Sequence, residues 1–208
     1  TQTAYPRTEI EYPTNAETLL GQAFPPPPTA MNVFLGWKVE PLFLGLAILG
    51  VGLYVAGVIK LRRRGDKWPL VQTASWILGW LFVVWATNAG VATYSMVSLK
   101  WHMVSHMVMS MVAPILLALS SPMTLALRAL PATHGPRRGA REWLVWAMHT
   151  PVAKFVTHPL WALFVFTIGL YGLYYTSLFG WLMTSHIGHV AMQLHFLAAG
   201  YLFSWVVI

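Results

Sequence analysis

The sequence contains no cysteine and has few charged residues. The absence of cysteine excludes disulfides, thiolate metal sites and cysteine-ligated iron–sulfur clusters from these 208 residues. Only 9% of the residues are charged, whereas a typical soluble domain has about 25%. Because 57% of the residues are hydrophobic, the composition argues against a soluble enzyme and predicts an integral membrane protein.

Five apolar runs have the length of about 20 residues that crosses a hydrocarbon core of about 30 Å. They cover residues 41–59, 68–94, 101–127, 158–179 and 185–208, and they predict an all-α, polytopic transmembrane helical bundle. Residues 1–39 are polar and proline-rich, which predicts an extended linker or loop before a transmembrane domain at 40–208. The last run reaches the final residue, so we expect this domain to be truncated at its C-terminus. Residues 140–148 predict a short amphipathic helix at the membrane interface.

Basic residues concentrate in two loops. Residues 60–67 and 128–157 hold ten of the 13 lysines and arginines. The formal charge of +7 therefore indicates cytoplasmic loops rather than a nucleic-acid partner. The positive-inside rule predicts a multi-pass protein of the plasma (inner) membrane, with both basic loops cytoplasmic and residues 1–39 extracytoplasmic.

Groups that would support catalysis are missing from the predicted spans. We find no nucleophile–base pair, glycine-rich phosphate loop or paired carboxylates, and no carboxylate falls within a span. The expectation is a protein that is not an enzyme, and a proton-coupled transporter is disfavoured.

Histidines and methionines cluster at the starts of the third and fifth runs, which the predicted topology places at the outer face. His102 and His106 are four residues apart and share one helical face. Imidazole suits copper, zinc and iron, and thioether sulfur selects Cu(I), so the cluster predicts a Cu(I) site. The alternative is that these histidines form hydrogen bonds between helices and bind no metal. The candidate metal ligands are His102, His106, His186, His189, His195, Met103, Met107 and Met192. His195 is rotated about 120° from His189, so it requires a second face or a neighbouring helix.

Ordered motifs carry a family resemblance over about residues 34–208. They are His102-Met103-x-x-His106-Met107, Ser110-Met111-Val112-Ala113-Pro114, Pro122-Met123-Thr124-Leu125-Ala126-Leu127-Arg128-Ala129-Leu130-Pro131, Thr157-His158-Pro159 and His189-x-x-Met192-x-Leu194-His195-Phe196. With these motifs the chain resembles the CtaG-type (caa3-type) cytochrome c oxidase assembly factor family, and its actinobacterial members in particular. Gln193 departs from the family, because many relatives have a histidine there.

The resemblance implies a membrane assembly factor that delivers copper to cytochrome c oxidase, with the external histidines as ligands. Its implied partners are oxidase subunits or a copper chaperone, and a CopD-like copper-import domain is expected upstream. Three other functions stay open at this point: a structural or accessory subunit of a respiratory oxidase, a copper importer or resistance protein, and, ranked lower, a b-type haem protein with two axial histidines.

Overall fold

The computed structural model describes residues 31, 36–37, 39–95, 98–131, 139–175 and 186–208. Nearly all of the predicted linker at residues 1–39 lies outside these ranges, so its boundary with the membrane domain stays a prediction. Every regular element within the described ranges is a helix, apart from an isolated β-bridge between Trp37 and Ala89. The predicted all-α class is confirmed.

The first span is helix α1, Pro41–Arg63. Proline is favourable at its first position, because the amide hydrogen that proline lacks would have no partner within the helix. The helix ends in a tight turn at Gly65, whose φ of 85° is in the left-handed region that glycine adopts most easily.

The predicted second span is interrupted in the structure. Helix α2 covers Leu70–Asn88, Ala89 is extended, and a short helix α3 covers Gly90–Ser95. The interruption coincides with tertiary contacts, since Ala89 bridges to Trp37 and the Asn88 side chain accepts a hydrogen bond from the Glu40 amide. The predicted second span is therefore helical over most of its length and is divided at Ala89.

The third span is also irregular. It consists of helix α4 (Leu99–Met107), a π-helical segment (Val108–Val112), helix α5 (Ala113–Leu119) and helix α6 (Pro122–Ala129). Proline at position 114 cannot donate to the carbonyl four residues earlier and its ring crowds that carbonyl, which accounts for the widened turn before it. Between α5 and α6, Ser121 adopts a left-handed conformation with φ of 51°.

The remaining helices follow the predicted order. Helices α7 (Ala140–His149) and α8 (Pro151–Val156) occupy the basic segment, and α7 confirms the short helix expected at residues 140–148. Helix α9 covers Pro159–Tyr175 and helix α10 covers His186–Val207. Four helical stretches in the described parts are long and apolar enough to cross a membrane, and α9 is a shorter apolar helix at the place of the predicted fourth span.

The third span lies at the centre of the bundle. Half of its most apolar window is buried, against 22% for α1. It packs between α2 on one side and α10 on the other, while α9 covers the far side of α10 and α1 packs on α2 and α6. The buried core at this centre comprises Phe43, Val83, Ala86, Val108, Met109, Ala113, Leu117 and Leu197.

Candidate functional site

Two histidines meet inside the bundle at the beginning of the third span. His102 and His106 are one turn apart on α4 and are 3% and 6% exposed. Their Nε2 atoms lie 2.7 Å apart, which is a hydrogen bond in which one ring donates and the other accepts. The pairing predicted from their spacing is therefore present, and both reactive nitrogens point to the same place.

Helix α10 supplies the opposite wall of this site. The ring of His189 lies 6.3 Å from the ring of His102, measured between centroids. Further along α10, Phe196 packs edge-on against His106 at 4.7 Å. The starts of the third span and of α10 thus lie at one end of the bundle, and the two spans run parallel. We call His102, His106 and His189 the histidine cluster.

The three candidate methionines occupy different environments. Met103 and Met107, also one turn apart on α4, are 43% and 58% exposed. Met192 of α10 is buried. The α4 methionines therefore form an accessible stripe next to the buried histidine pair, whereas Met192 faces the interior.

His195 is not brought to the pair. His195 is exposed and its Nε2 lies against α9, at the position that a Cβ on Gly169 would occupy. The side chain of His195 therefore packs against α9. His186 begins α10, but its side chain lies outside the described part of the structure.

The π-helical segment begins at Val108, two residues after His106. Ser110, on this segment, donates its hydroxyl to the His106 carbonyl at 2.7 Å, and the amide of Ala113 bonds to the Val108 carbonyl. Segments of this kind are frequent at functional sites, because the extra residue re-aims the side chains before it. Sequence reasoning did not identify the segment, although Pro114 inside an apolar run was a usable signal.

The imidazole nitrogens of the histidine cluster are suitable metal ligands, but they are not arranged as a complete coordination shell. Within the described parts of the chain, no three His, Asp or Glu side chains lie close enough together to hold a metal ion. Two imidazole nitrogens on one tetrahedral metal, each at about 2.0–2.1 Å, would be roughly 3.3 Å apart, so the observed 2.7 Å requires a small parting of the rings. The pair can therefore provide two ligands. His189 can provide a third ligand only by moving closer to the pair.

These features define a multi-pass α-helical membrane protein in which a histidine pair is buried between two parallel spans. Residues 52–208 match the family described as the cytochrome c oxidase caa3 assembly factor. This match covers most of the chain, and the chain belongs to that family.

Similar mycobacterial proteins extend the comparison. Uncharacterised proteins of Mycobacterium leprae, Mycobacterium bovis and Mycobacterium tuberculosis are each 41% identical to the chain over 194 or 195 residues, which is 92% of its length. The chain spans 29% of the length of these curated relatives. No solved structure gives a significant match to the chain.

Proposed function

We propose that the protein is a non-enzymatic copper-handling factor for cytochrome c oxidase assembly, which holds Cu(I) at the histidine cluster and passes it on. The observation that carries this proposal is the convergence of the buried Nε2 atoms of His102 and His106. Membership of an oxidase assembly family supports the class of process in which the protein takes part.

The chemistry of the donors supports copper as the cargo. Imidazole nitrogen suits copper, and thioether sulfur selects Cu(I) over the other common metals. In the proposed loaded state the Nε2 atoms of His102 and His106 would both hold Cu(I), with the proton that lay between them moved to Nδ1 of its own ring so that both imidazoles stay neutral, and His189 would approach from α10 as a third ligand. A site that is completed only when metal arrives is appropriate for a carrier, since the carrier must also release its cargo.

The exposed methionines supply a route to the surface. Met103 and Met107 lie on the face next to the histidine pair and remain accessible from outside the bundle. We propose that their sulfur atoms receive Cu(I) at the surface and exchange it with the buried imidazoles. Met192 is buried, so its role would be limited to the interior of the site.

The proposed location is the plasma membrane, with the histidine cluster at the outer face. The basic turn after α1 and Arg128 of α6 lie at the end of the bundle opposite the histidines, and basic loops favour the cytoplasm. An oxidase subunit or a copper chaperone at the outer face would then be the partner in transfer.

Metal content provides the direct test. Detergent-purified full-length protein would be loaded anaerobically with Cu(I), washed stringently and analysed by mass spectrometry, beside a His102→Ala, His106→Ala double variant. We expect near-stoichiometric copper in the parent and little in the variant. A His189→Ala variant should retain copper with weaker affinity, because it removes the ligand that lies farther away.

A matched double variant controls for the general loss of histidines. His149 and His158 are exposed and lie outside the histidine cluster, so His149→Ala, His158→Ala should leave copper content unchanged. Equal or negligible copper in the parent and both doubles would reject the carrier function. The protein would then be better explained as a scaffold or accessory subunit of the oxidase.

A further inference from the structure

A polar cleft of about 430 Å³ lies at the end of the bundle opposite the histidine cluster. Its charged lining consists of Arg64, Asp66, Arg128 and Arg141. These residues come from three places in the chain: the turn after α1, the end of α6 and the start of α7. We call this feature the arginine cleft.

A defined backbone turn presents two of these residues. The amide of Gly65 bonds to the Arg62 carbonyl at 3.0 Å, and the amide of Asp66 bonds to the Leu61 carbonyl at 3.2 Å. This pattern is a Schellman motif, in which a left-handed residue closes the end of a helix. The turn therefore holds the backbone of Arg64 and Asp66 at a fixed edge of the cleft.

Arg128 is held by two contacts, and its positive charge remains available to bind an anion. Its guanidinium lies 5.9 Å from the ring of buried Trp68 and 3.9 Å from a carboxylate oxygen of Asp66. Both side chains of this ion pair are about half exposed, and exposed pairs contribute little binding energy. Three arginines against one aspartate leave the lining with an excess of two positive charges.

Arg141 adds an unused donor. Its Nε atom is buried and has no hydrogen-bond partner among the residues that the structure describes. A buried polar group without a partner is costly, so an anion that reached this donor would gain a hydrogen bond. Arg141 is one of the residues that line the cleft.

The position of α7 relates the cleft to the membrane surface. Trp143 and Trp146, on the same helix as Arg141, are about half exposed and pack edge to face at 5.4 Å. Tryptophans of this kind are enriched where the hydrocarbon core meets the headgroups. The cleft also lies where the spans α1 and α6 end, and headgroups are expected at the ends of transmembrane helices.

We propose that the arginine cleft binds the phosphate diester of an anionic phospholipid headgroup. Guanidinium groups recognise phosphate oxygens through paired hydrogen bonds, and basic sites between transmembrane helices bind anionic headgroups. The two excess positive charges match a lipid that carries one or two phosphate diesters. This site is independent of the histidine cluster and of any copper.

Lipid retention by the full-length protein tests the proposal. Delipidated protein in detergent would be titrated with phosphatidylglycerol or phosphatidylcholine and the bound lipid counted by native mass spectrometry. We expect preferential binding of phosphatidylglycerol, and an affinity about tenfold or more weaker in an Arg64→Gln, Arg128→Gln, Arg141→Gln variant. The matched control is Arg62→Gln, Arg63→Gln, Lys67→Gln, which removes the same charge from exposed residues outside the cleft and should change affinity less than about twofold.

Three results would overturn the proposal. Equal weakening by both triple variants would mean that general charge attracts the lipid. Equal binding of the two lipids would mean that the site does not select an anion. Displacement of phosphatidylglycerol by excess inorganic phosphate, with phosphate bound in its place, would identify a site for soluble phosphate. Should the cleft triple variant fail to fold, Arg141→Gln alone must still weaken phosphatidylglycerol binding measurably.

Discussion

Gly200 of α10 packs directly against the backbone carbonyl oxygen of Ser110, which belongs to the π-helical segment of the third span. A Cβ at position 200 would collide with that oxygen and would stand 2.9 Å from Cγ of Pro114. Small residues let transmembrane helices approach this closely. The contact holds α10 against the segment that follows His106, so it helps to fix the distance between the two walls of the histidine cluster.

Gly200→Ala should destabilise the protein even though alanine is the better helix former. The added methyl group forces the two backbones apart, and overpacking of this kind costs about 1–3 kcal/mol. Thermal unfolding in detergent measures the effect. The control is Gly52→Ala on α1. There an added Cβ meets nothing within 4 Å in the part of the chain that the structure describes, and helix propensity should raise stability slightly. Equal behaviour of the two variants would contradict the close crossing.

Asn88→Ala should weaken the attachment of α1 to α2. The Asn88 side chain is fully buried, accepts from the Glu40 amide and donates to Thr87 Oγ1 at 2.9 Å. Removing it leaves buried polar groups without this partner, which costs about 1–3 kcal/mol. The comparison is chemical denaturation of a Thr157→Ala variant, because Thr157 is exposed and its hydroxyl donates to the Ala153 carbonyl within its own turn. A loss below about 0.5 kcal/mol for Asn88→Ala would contradict its role as a tie between the helices.

Gly65→Ala should destabilise the turn after α1 and weaken anionic lipid binding. At φ of 85° a Cβ is strained by roughly 1–2 kcal/mol, although it would meet no atom of the described residues within 4 Å. Gly65→Asn should be milder, since asparagine tolerates the left-handed region. Gly45→Ala, equally uncrowded but within α1, is the control for the loss of a glycine. Thermal unfolding and lipid titration would be measured together, and unchanged values in Gly65→Ala would show that the turn can adopt another conformation.

Single cysteines should report the orientation in the membrane, because the chain has none of its own. Lys67→Cys lies in the basic turn after α1, and Lys100→Cys lies beside His102 at the start of the third span; both positions are exposed. On intact cells a membrane-impermeant maleimide should label only Lys100→Cys, and permeabilisation should expose Lys67→Cys. The opposite labelling pattern would place the histidine cluster at the cytoplasmic face. It would then contradict the proposal that copper is transferred to a partner at the outer face.

Local sequence was sufficient to predict the helices and the pairing of His102 with His106 on α4. Apolar length predicted the spans, and a separation of four residues predicted that His102 and His106 share a face, as they do. These predictions succeeded because helical period and bilayer thickness act on each segment independently of its neighbours.

Local sequence was less informative about breaks and about which faces meet. The extended Ala89 depends on the bridge to Trp37, and the position of the π-helical segment depends on Pro114 together with the approach of α10. The packing of His195 against Gly169 of α9, and not toward the histidine pair, also required the assembled bundle.

The sequence by itself therefore determined the class of the protein, its spans and the common face of His102 and His106. The helical period also favoured His189 over His195 as the partner of this pair. Only the tertiary structure decided that the rings of His189 and His102 lie 6.3 Å apart, that His195 packs against α9, and that three arginines from separate segments share one cleft. The physical reason is that a membrane helix is apolar on nearly all sides, because both lipid and protein interior accept apolar side chains. Its hydrophobic pattern consequently does not reveal which side faces another helix, and the close fit of backbones and small residues decides it.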